Sequence, residues 1–535
     1  MRLLPLTKGL PGWKNALLAL ASAILLILAF PDFDYWFLAW FALVPLMWAI
    51  ERERESTSRS FVLGWICGTV FFFGTCWWLT YAPITYAAFP PILAYFLLFL
   101  VCAAAGLFPA MFAGILSVLH RRFGSPAFLA APFAWVLTEF LRYWITGNNW
   151  NGLGYSQAFS SIWVFPFVGA ASFAGFLATS WIVVAINVIF LSPVSEGLKY
   201  LSHEGRSFRP SRVIAISCPY FIVLGLLWVT VILSIFLKGQ DARVAPGNKL
   251  IATQSNVPMS GLTYEKWEAL RQRHVTLAES ALRKLTTDHR QPTTVIFPES
   301  PMNFMYETDR ETREFIDGFA RKNNVSVLFN SAEPDAANGK FFNSAVMVGP
   351  QGGEVAQYDK IYLLPFGEAV PFPLEGLLPG FVGNFSYGRE YDLLPLGDAK
   401  AGVMICFESH FGQLSREYVR NGADAIIEMT NDGYLGPTPV QRQHLANAVF
   451  RAVETNRPVL RVTNVGITAY INERGEVLDP AQAYTEDTRV WSVAKSDGSQ
   501  TFYVRYGDWF AWLCSLTTLV ILGLALRPRD AQARA

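Results

Sequence analysis

Apolar residues dominate two stretches of this chain, from residue 15 to 237 and again from 508 to 526. A bilayer core of roughly 30 Å takes about 20 apolar helical residues. By that length the pattern predicts eight spans, near 15–31, 35–50, 60–80, 90–119, 125–143, 163–192, 213–237 and 508–526. The first two are short and joined by Pro31-Asp32-Phe33-Asp34, which suits a tight hairpin. Between 238 and 506 the pattern changes. Short β-rich runs at Leu250–Gln254, Thr294–Pro298, Val325–Asn330, Ser344–Val348, Gly402–Ile405, Ala425–Met429 and Val459–Val462 predict strands, and helical periodicity covers 264–286, 309–322 and 438–455. That alternation predicts a layered α/β or α+β domain long enough to bury its own core. The expected organisation is a membrane domain over 1–237, a soluble domain over 238–506, and a last span with its tail over 507–535.

Composition agrees. Of the 535 residues 52% are hydrophobic and 16% charged, where soluble domains carry about a quarter charged. A net charge of +1 and the lack of a basic cluster argue against a nucleic-acid partner. Arg2, Lys8 and Lys14 before an apolar run have the form of a signal peptide, but further apolar segments follow at once, so a retained first span is expected. Lys and Arg accumulate on the cytoplasmic side of membrane proteins. With the N-terminus inside, the inner segments hold the N-terminal three, Arg52, Arg54, Arg59, Arg121, Arg122, Lys199, Arg206, Arg209, Arg212, Arg527, Arg529 and Arg534. The short outer loops hold only Arg142. This asymmetry puts 238–506 outside the cytoplasm, with both termini inside.

Five of the six cysteines fall within predicted spans, where a thiol behaves as a small apolar residue. Cys406 is alone in the soluble domain and has no partner there for a disulfide. It ends the run Ala-Gly-Val-Met-Ile-Cys. Glu299 ends Thr-Thr-Val-Ile-Phe-Pro-Glu, and Lys360 follows Val355-Ala356-Gln357-Tyr358-Asp359. Strand ends are rigid places from which to project reactive side chains into one cleft. A carboxylate can take a thiol proton, and a lysine can stabilise a thiolate or an oxyanion.

The neighbours of these three residues carry a resemblance. Phe297-Pro298-Glu299-Ser300, Tyr358-Asp359-Lys360 with Leu364-Pro365-Phe366-Gly367-Glu368, and Ile405-Cys406-Phe407-Glu408 resemble the Glu-Lys-Cys motifs of the nitrilase superfamily. Asn431-Asp432, Gln443-His444, Arg451-Ala452, Glu454, Arg457-Pro458 and Thr463-Asn464-Val465-Gly466 continue it in order. With the predicted spans around this domain, and Gly154-Tyr155-Ser156-Gln157 before the sixth, most of the chain is similar to the apolipoprotein N-acyltransferase family of the bacterial cytoplasmic membrane.

The resemblance implies an α-β-β-α sandwich and transfer of an acyl chain from a phospholipid to the α-amino group of a lipoprotein's diacylglyceryl-cysteine. It implies Cys406 as nucleophile, Glu299 as base and Lys360 as oxyanion stabiliser, supported by Glu368, Glu408 and Asn343. The substrate contacts expected with it are Trp267, Trp150, Tyr155, Phe366 and Phe381. Departures from the family pattern are Phe297 for its usual Trp, Phe407 for its usual Tyr, which removes a hydroxyl, and Asn148-Asn149-Trp150 for its Phe-Pro-Trp.

Between Lys360 and Cys406, the segment Leu363–Gly388 is rich in Phe and Leu. It either packs on its own domain or forms the expected lid that admits acyl chains. The aromatic outer loops Tyr81–Pro91 and Trp144–Ser161 suit interface anchors at the same entrance. The nearest rival is a membrane-tethered amidase or nitrilase that passes the acyl group to water. A Cys–His hydrolase would call on His410 or His444, but His444 lies in a helical run, the usual setting of a packing residue. No His/Cys/Asp spacing suits a metal, and no phosphate loop, dinucleotide fingerprint or haem motif is present, so no cofactor is expected. A transporter would carry paired charges within its spans, where Glu139 is the only obvious one.

Overall fold

The computed structural model describes residues 9–31, 33–160, 165–201, 210–237, 247–285, 293–299, 301–302, 304–370 and 385–527. The chain forms two compact units, Met1–Gly239 with Asp508–Ala535, and Gln240–Gly507.

The first unit is helical. Among the described residues, three helical stretches are long and apolar enough to cross a membrane: Pro91–Phe123, Phe176–Gly197 and Trp509–Leu526. A bent pair, Thr57–Thr75 with Trp77–Thr85, makes a fourth if counted as one span. Trp13–Ala29 and Val213–Leu226 are shorter apolar helices. Local chemistry moves several boundaries from where apolar length alone puts them. The segment expected at 35–50 divides at Leu43 into Ala39–Ala42 and Val44–Arg52. Buried Asn187 compensates that break, accepting from Leu43 N at 2.8 Å and donating to the Ala39 carbonyl at 2.7 Å. The segment expected at 163–192 becomes two short helices before Phe176–Leu201. Thr57–Thr75 lies close against Leu107–Phe123 because a Cβ at Gly64 would collide with the Pro109 carbonyl and Ala113.

The second unit holds two sheets. Strands β1 (Asn248–Gln254), β2 (Thr293–Ile296), β3 (Ser326–Asp335), β4 (Lys340–Val348), β5 (Glu354–Asp359) and β6 (Phe385–Ser386) belong to the first. The second contains β7 (Leu393–Leu396), β8 (Ala399–Ile405), β9 (Ala425–Thr430), β10 (Val459–Thr463), β11 (Ala469–Ile471) and β12 (Val477–Leu478). The last strand, β13 (Asp487–Val493), returns to the first sheet beside β1, giving the order β13-β1-β2-β3-β4-β5 with β6 beside β4. Both sheets have a parallel centre, β1-β2-β3 and β8-β9-β10. Those strands read as nearly continuous apolar runs because both faces are covered.

Helices Tyr264–Lys284 and Arg310–Asn323 pack on the first sheet. Helices Gly412–Arg420 and Val440–Thr455 pack on the second, and β1 and β5 meet β10 and β7 across the middle. The result is the α-β-β-α sandwich. Asp309 caps Arg310–Asn323 through the amides of Glu311 and Thr312, and Asn324 ends it in the left-handed region. Gly402 is required on β8, since any Cβ there would enter the Tyr418 ring.

Candidate active site

The loops at the carboxyl ends of the parallel strands carry the candidate residues. Cys406 directly follows β8 and opens the short 3-10 turn Cys406–His410. Its backbone takes φ +52°, a region a residue with a Cβ seldom occupies. Lys360 directly follows β5, and Glu299 lies three residues beyond β2.

Lys360 is buried, and its Nζ donates to Glu368 Oε1 at 2.8 Å. The same oxygen accepts from Asn343 Nδ2 at 2.7 Å, while Glu368 Oε2 accepts from Leu364 N at 2.7 Å. Asn343 also reaches Glu299 Oε1 at 3.4 Å, and its own carbonyl accepts from Lys360 N at 2.9 Å. Glu299 Oε2 accepts from Asn431 N at 3.1 Å, which ties the first sheet's carboxylate to the second sheet. Glu408 locks both loops from beneath. Its Oε2 accepts from Ile405 N at 2.8 Å. Its Oε1 accepts from Tyr358 Oη and Ile361 N at 2.7 Å each and from Tyr362 N at 3.0 Å.

Glu299, Lys360 and Cys406 lie within one another's electrostatic reach. Burial raises the Cys406 thiol well above its ordinary range, and Glu299 adds to that while Lys360 opposes it. Burial also raises Glu299, again against Lys360. For Lys360, burial works against the charge, but Glu368 and Glu299 outweigh it and keep the ammonium above the ordinary lysine range. The resting site therefore sets a neutral thiol near the Glu299 carboxyl group and the Lys360 ammonium. A proton can pass from sulfur to carboxylate without leaving the cleft.

The other expected residues divide. Trp267 is half-buried. Its Nε1 donates to the Met302 carbonyl at 3.0 Å, its ring meets Phe304, and Arg271 lies over it at 4.5 Å. Phe366 is 55% exposed, with φ +63° in the loop between Lys360 and Glu368. Phe381 and most of the apolar segment around it lie outside the described residues. Trp150 and Tyr155 belong to the helical unit, Trp150 against Trp78 at 5.1 Å and Tyr155 stacked on Phe176 at 4.7 Å. In the same motif, Gln157 donates to the Trp36 carbonyl and accepts from Trp40 Nε1. Phe407 is buried, stacked on His410 at 5.1 Å and edge-on to Phe411 at 5.3 Å.

Sequence reasoning missed a buried charged group beneath Cys406. His444 Nδ1 donates to Asp432 Oδ1 at 2.8 Å, and Nε2 lies 3.0 Å from the Cys406 carbonyl and 3.1 Å from Glu428 Oε1. Arg461 pairs with Glu428 at 2.5 Å and Asp432 at 2.8 Å. The signal was present. Val459-Leu-Arg-Val-Thr and Ala425-Ile-Ile-Glu-Met-Thr each place one charge inside an apolar strand, and the register pairs Arg461 with Glu428.

The family model for the carbon-nitrogen hydrolases matches residues 256–501, and that for the apolipoprotein N-acyltransferase N-terminal domain matches 22–189. Similar solved structures include Nit3 of Saccharomyces cerevisiae, a nitrilase-superfamily member, at 17% identity and TM-score 0.36, covering 47% of this chain and 91% of that one. A nitrilase-superfamily amidase from Nesterenkonia AN1 follows at 15% and 0.37, covering 49% and 96%. The apolipoprotein N-acyltransferase of Haemophilus influenzae is 27% identical over 533 residues, 97% of this chain and 96% of that protein. That of Geobacter metallireducens is 30% identical over 524 residues, again 97% of this chain and 96% of its own length. The chain belongs to the apolipoprotein N-acyltransferase family, and it is an N-acyltransferase with a nitrilase-like catalytic fold.

Proposed function

We propose that this enzyme moves an acyl chain from a membrane phospholipid to the α-amino group of a diacylglyceryl-cysteine apolipoprotein, by a ping-pong route through a thioester on Cys406. The observation that carries this reading is the placing of Glu299, Lys360 and Cys406 just past β2, β5 and β8, with Asn343 reaching both Glu299 at 3.4 Å and the Lys360 partner Glu368 at 2.7 Å.

In the first half-reaction Glu299 takes the Cys406 proton and the sulfur attacks the ester carbonyl. Lys360 neutralises the oxyanion. As the tetrahedral intermediate collapses, Glu299 returns the proton to the departing lysophospholipid oxygen. In the second, the acceptor amine attacks the thioester, Glu299 removes an amine proton, and the thiolate leaves and is reprotonated. Glu368, Asn343 and Glu408 hold the three reacting groups. Trp267, Trp150, Tyr155, Phe366 and Phe381 contact the lipid substrates, and exclusion of water protects the thioester.

The same proposal sets the catalytic domain, 238–506, on the outer face of the bacterial cytoplasmic (inner) membrane. Eight spans would anchor it, seven within 1–237 and the last within 507–535, with both termini cytoplasmic. The charge asymmetry of the loops supports that orientation. The test supplies purified protein with phospholipid and a diacylglyceryl-cysteine peptide. The reading expects an N-acylated peptide from the wild type and none from Cys406→Ser. Release of free fatty acid with no peptide amide would instead make the protein a hydrolase.

A further inference from the structure

Cys406 cannot hold its conformation unaided. A positive φ on a side-chain-bearing residue persists only where surroundings over-determine it. Two contacts do so here. Glu408 accepts the amide of Ile405 on one side, and His444 meets the carbonyl of Cys406 itself on the other.

The partners of His444 fix its chemistry. Its Nδ1 faces the Asp432 carboxylate, which Arg461 also holds. Its Nε2 faces the Cys406 carbonyl and the Glu428 carboxylate, and Arg461 again holds the latter. The Cys406 carbonyl can only accept, and a carboxylate beside each ring nitrogen favours a proton there, so both nitrogens are placed to donate. A neutral imidazole would point a lone pair at an acceptor. The ring is thus an imidazolium with both protons in use.

We propose that His444 is a positioning residue for the nucleophile, clamping the Cys406 main chain and balancing the two carboxylates beneath the sulfur. This rests on Cys406 being the nucleophile. The charges facing His444 come from each element around it: Glu428 on β9, Asp432 after β9 and Arg461 on β10, with His410 of the Cys406 turn at 6.3 Å between ring centroids. Two acids and two bases cancel. Without the imidazolium, the group would be left one negative charge in excess close to a thiol that must become a thiolate. Burial and Arg461 oppose the charge on His444, but Asp432 and Glu428 prevail and raise it to about 9.

The test uses the full chain in detergent with wild type, His444→Gln and Cys406→Ala. Two readouts are followed against pH: iodoacetamide alkylation of the Cys406 peptide, and its acylation from labelled phospholipid. Loss of the imidazolium should raise the alkylation midpoint by about one pH unit and slow acylation near neutral pH about tenfold. Wild-type acylation should also fall as pH rises through about 9, a limb that needs no variant and survives if His444→Gln does not fold. A wild-type rate that keeps rising through that range overturns the proposal. So does a variant that matches wild type, or one that loses rate equally at every pH with its alkylation midpoint unmoved. If instead the wild-type Cys406 peptide alkylates but never carries acyl label, the nucleophile reading falls and takes this one with it. Acylated wild type beside an indistinguishable variant removes His444 alone.

Discussion

Buried Lys360 and partly buried Glu368 form an ion pair, Nζ to Oε1 at 2.8 Å, in which the carboxylate also orders Asn343 and the Leu364 amide. The lysine's charge at this depth is therefore sustained by its neighbours. Removing one partner of a buried ion pair typically costs about 3–5 kcal/mol, because the other charge is stranded. Glu368→Ala is expected to lower thermal stability in that range and to slow acyl-enzyme formation by about 10²-fold, the scale of losing one oxyanion donor. Differential scanning fluorimetry and single-turnover labelling check the two effects. A variant with wild-type labelling would show that Lys360 is placed without Glu368.

Glu408 accepts four hydrogen bonds, three of them from backbone amides on two different loops. Glu408→Gln exchanges one acceptor oxygen for an NH₂ group, so at least one donor faces a donor. Each buried donor left unsatisfied costs about 1–3 kcal/mol. The prediction is a lower unfolding midpoint, together with a loss of activity larger than the stability loss explains, since both the Cys406 turn and the Lys360 loop would shift. Tyr358→Phe removes only the one side-chain donor and should be milder in both assays.

Protein stability should depend on pH through the group beneath Cys406. His444 is raised from 6.5 to about 9, so its stabilisation is complete below 6.5 and is lost as pH climbs through about 9. Glu428 is the mirror case. Burial opposes its ionisation, but Arg461 and His444 prevail and lower it from 4.5 to about 2, so its contribution is present above 4.5 and lost as pH falls toward 2. Unfolding midpoints in detergent across pH 5 to 10 should show an alkaline decline in wild type that His444→Gln flattens. An unchanged slope in that variant would assign the decline elsewhere.

Arg461 pairs with both carboxylates and is wholly buried. Arg461→Met strands Glu428 and Asp432 and should be among the most damaging single changes in this domain, about 3–5 kcal/mol. The double variant Arg461→Met with Glu428→Gln removes one of the stranded charges and should recover part of that loss. Denaturant titration of the four corners of this cycle measures the coupling.

Most of the sandwich could be read in the sequence because its central strands are parallel and covered on both faces. Runs such as Ala425–Met429 and Val459–Val462 leave little choice of element. Other features were not readable, among them the short strands β6, β7, β11 and β12. β13 pairs with β1 across more than two hundred residues, and nothing local in Asp487–Val493 points to that partner. Helix Gly412–Arg420 is short and closely follows the Cys406–His410 turn, so its periodicity has little length in which to show. At the site, Glu299, Lys360 and Cys406 were visible as polar residues closing apolar runs. His444 stood within a recognised motif but read as a packing residue, because a histidine on a helix carries no sign of what lies opposite. Its meaning comes from Asp432 and Cys406, brought to it by two other strands. In the helical unit, apolar length marked the segments, while Asn187 and Gly64 decided where they break and how closely they pack.

The central claim is that Cys406 carries the acyl chain. Wild type and Cys406→Ser, incubated with acyl-labelled phospholipid and no acceptor, would be digested and the Cys406 peptide examined by mass spectrometry. The account predicts an acyl adduct on that peptide, released by neutral hydroxylamine, absent in the variant and discharged to amide when a diacylglyceryl-cysteine peptide is added. An acceptor that becomes N-acylated while the Cys406 peptide stays unmodified at every time point would contradict it.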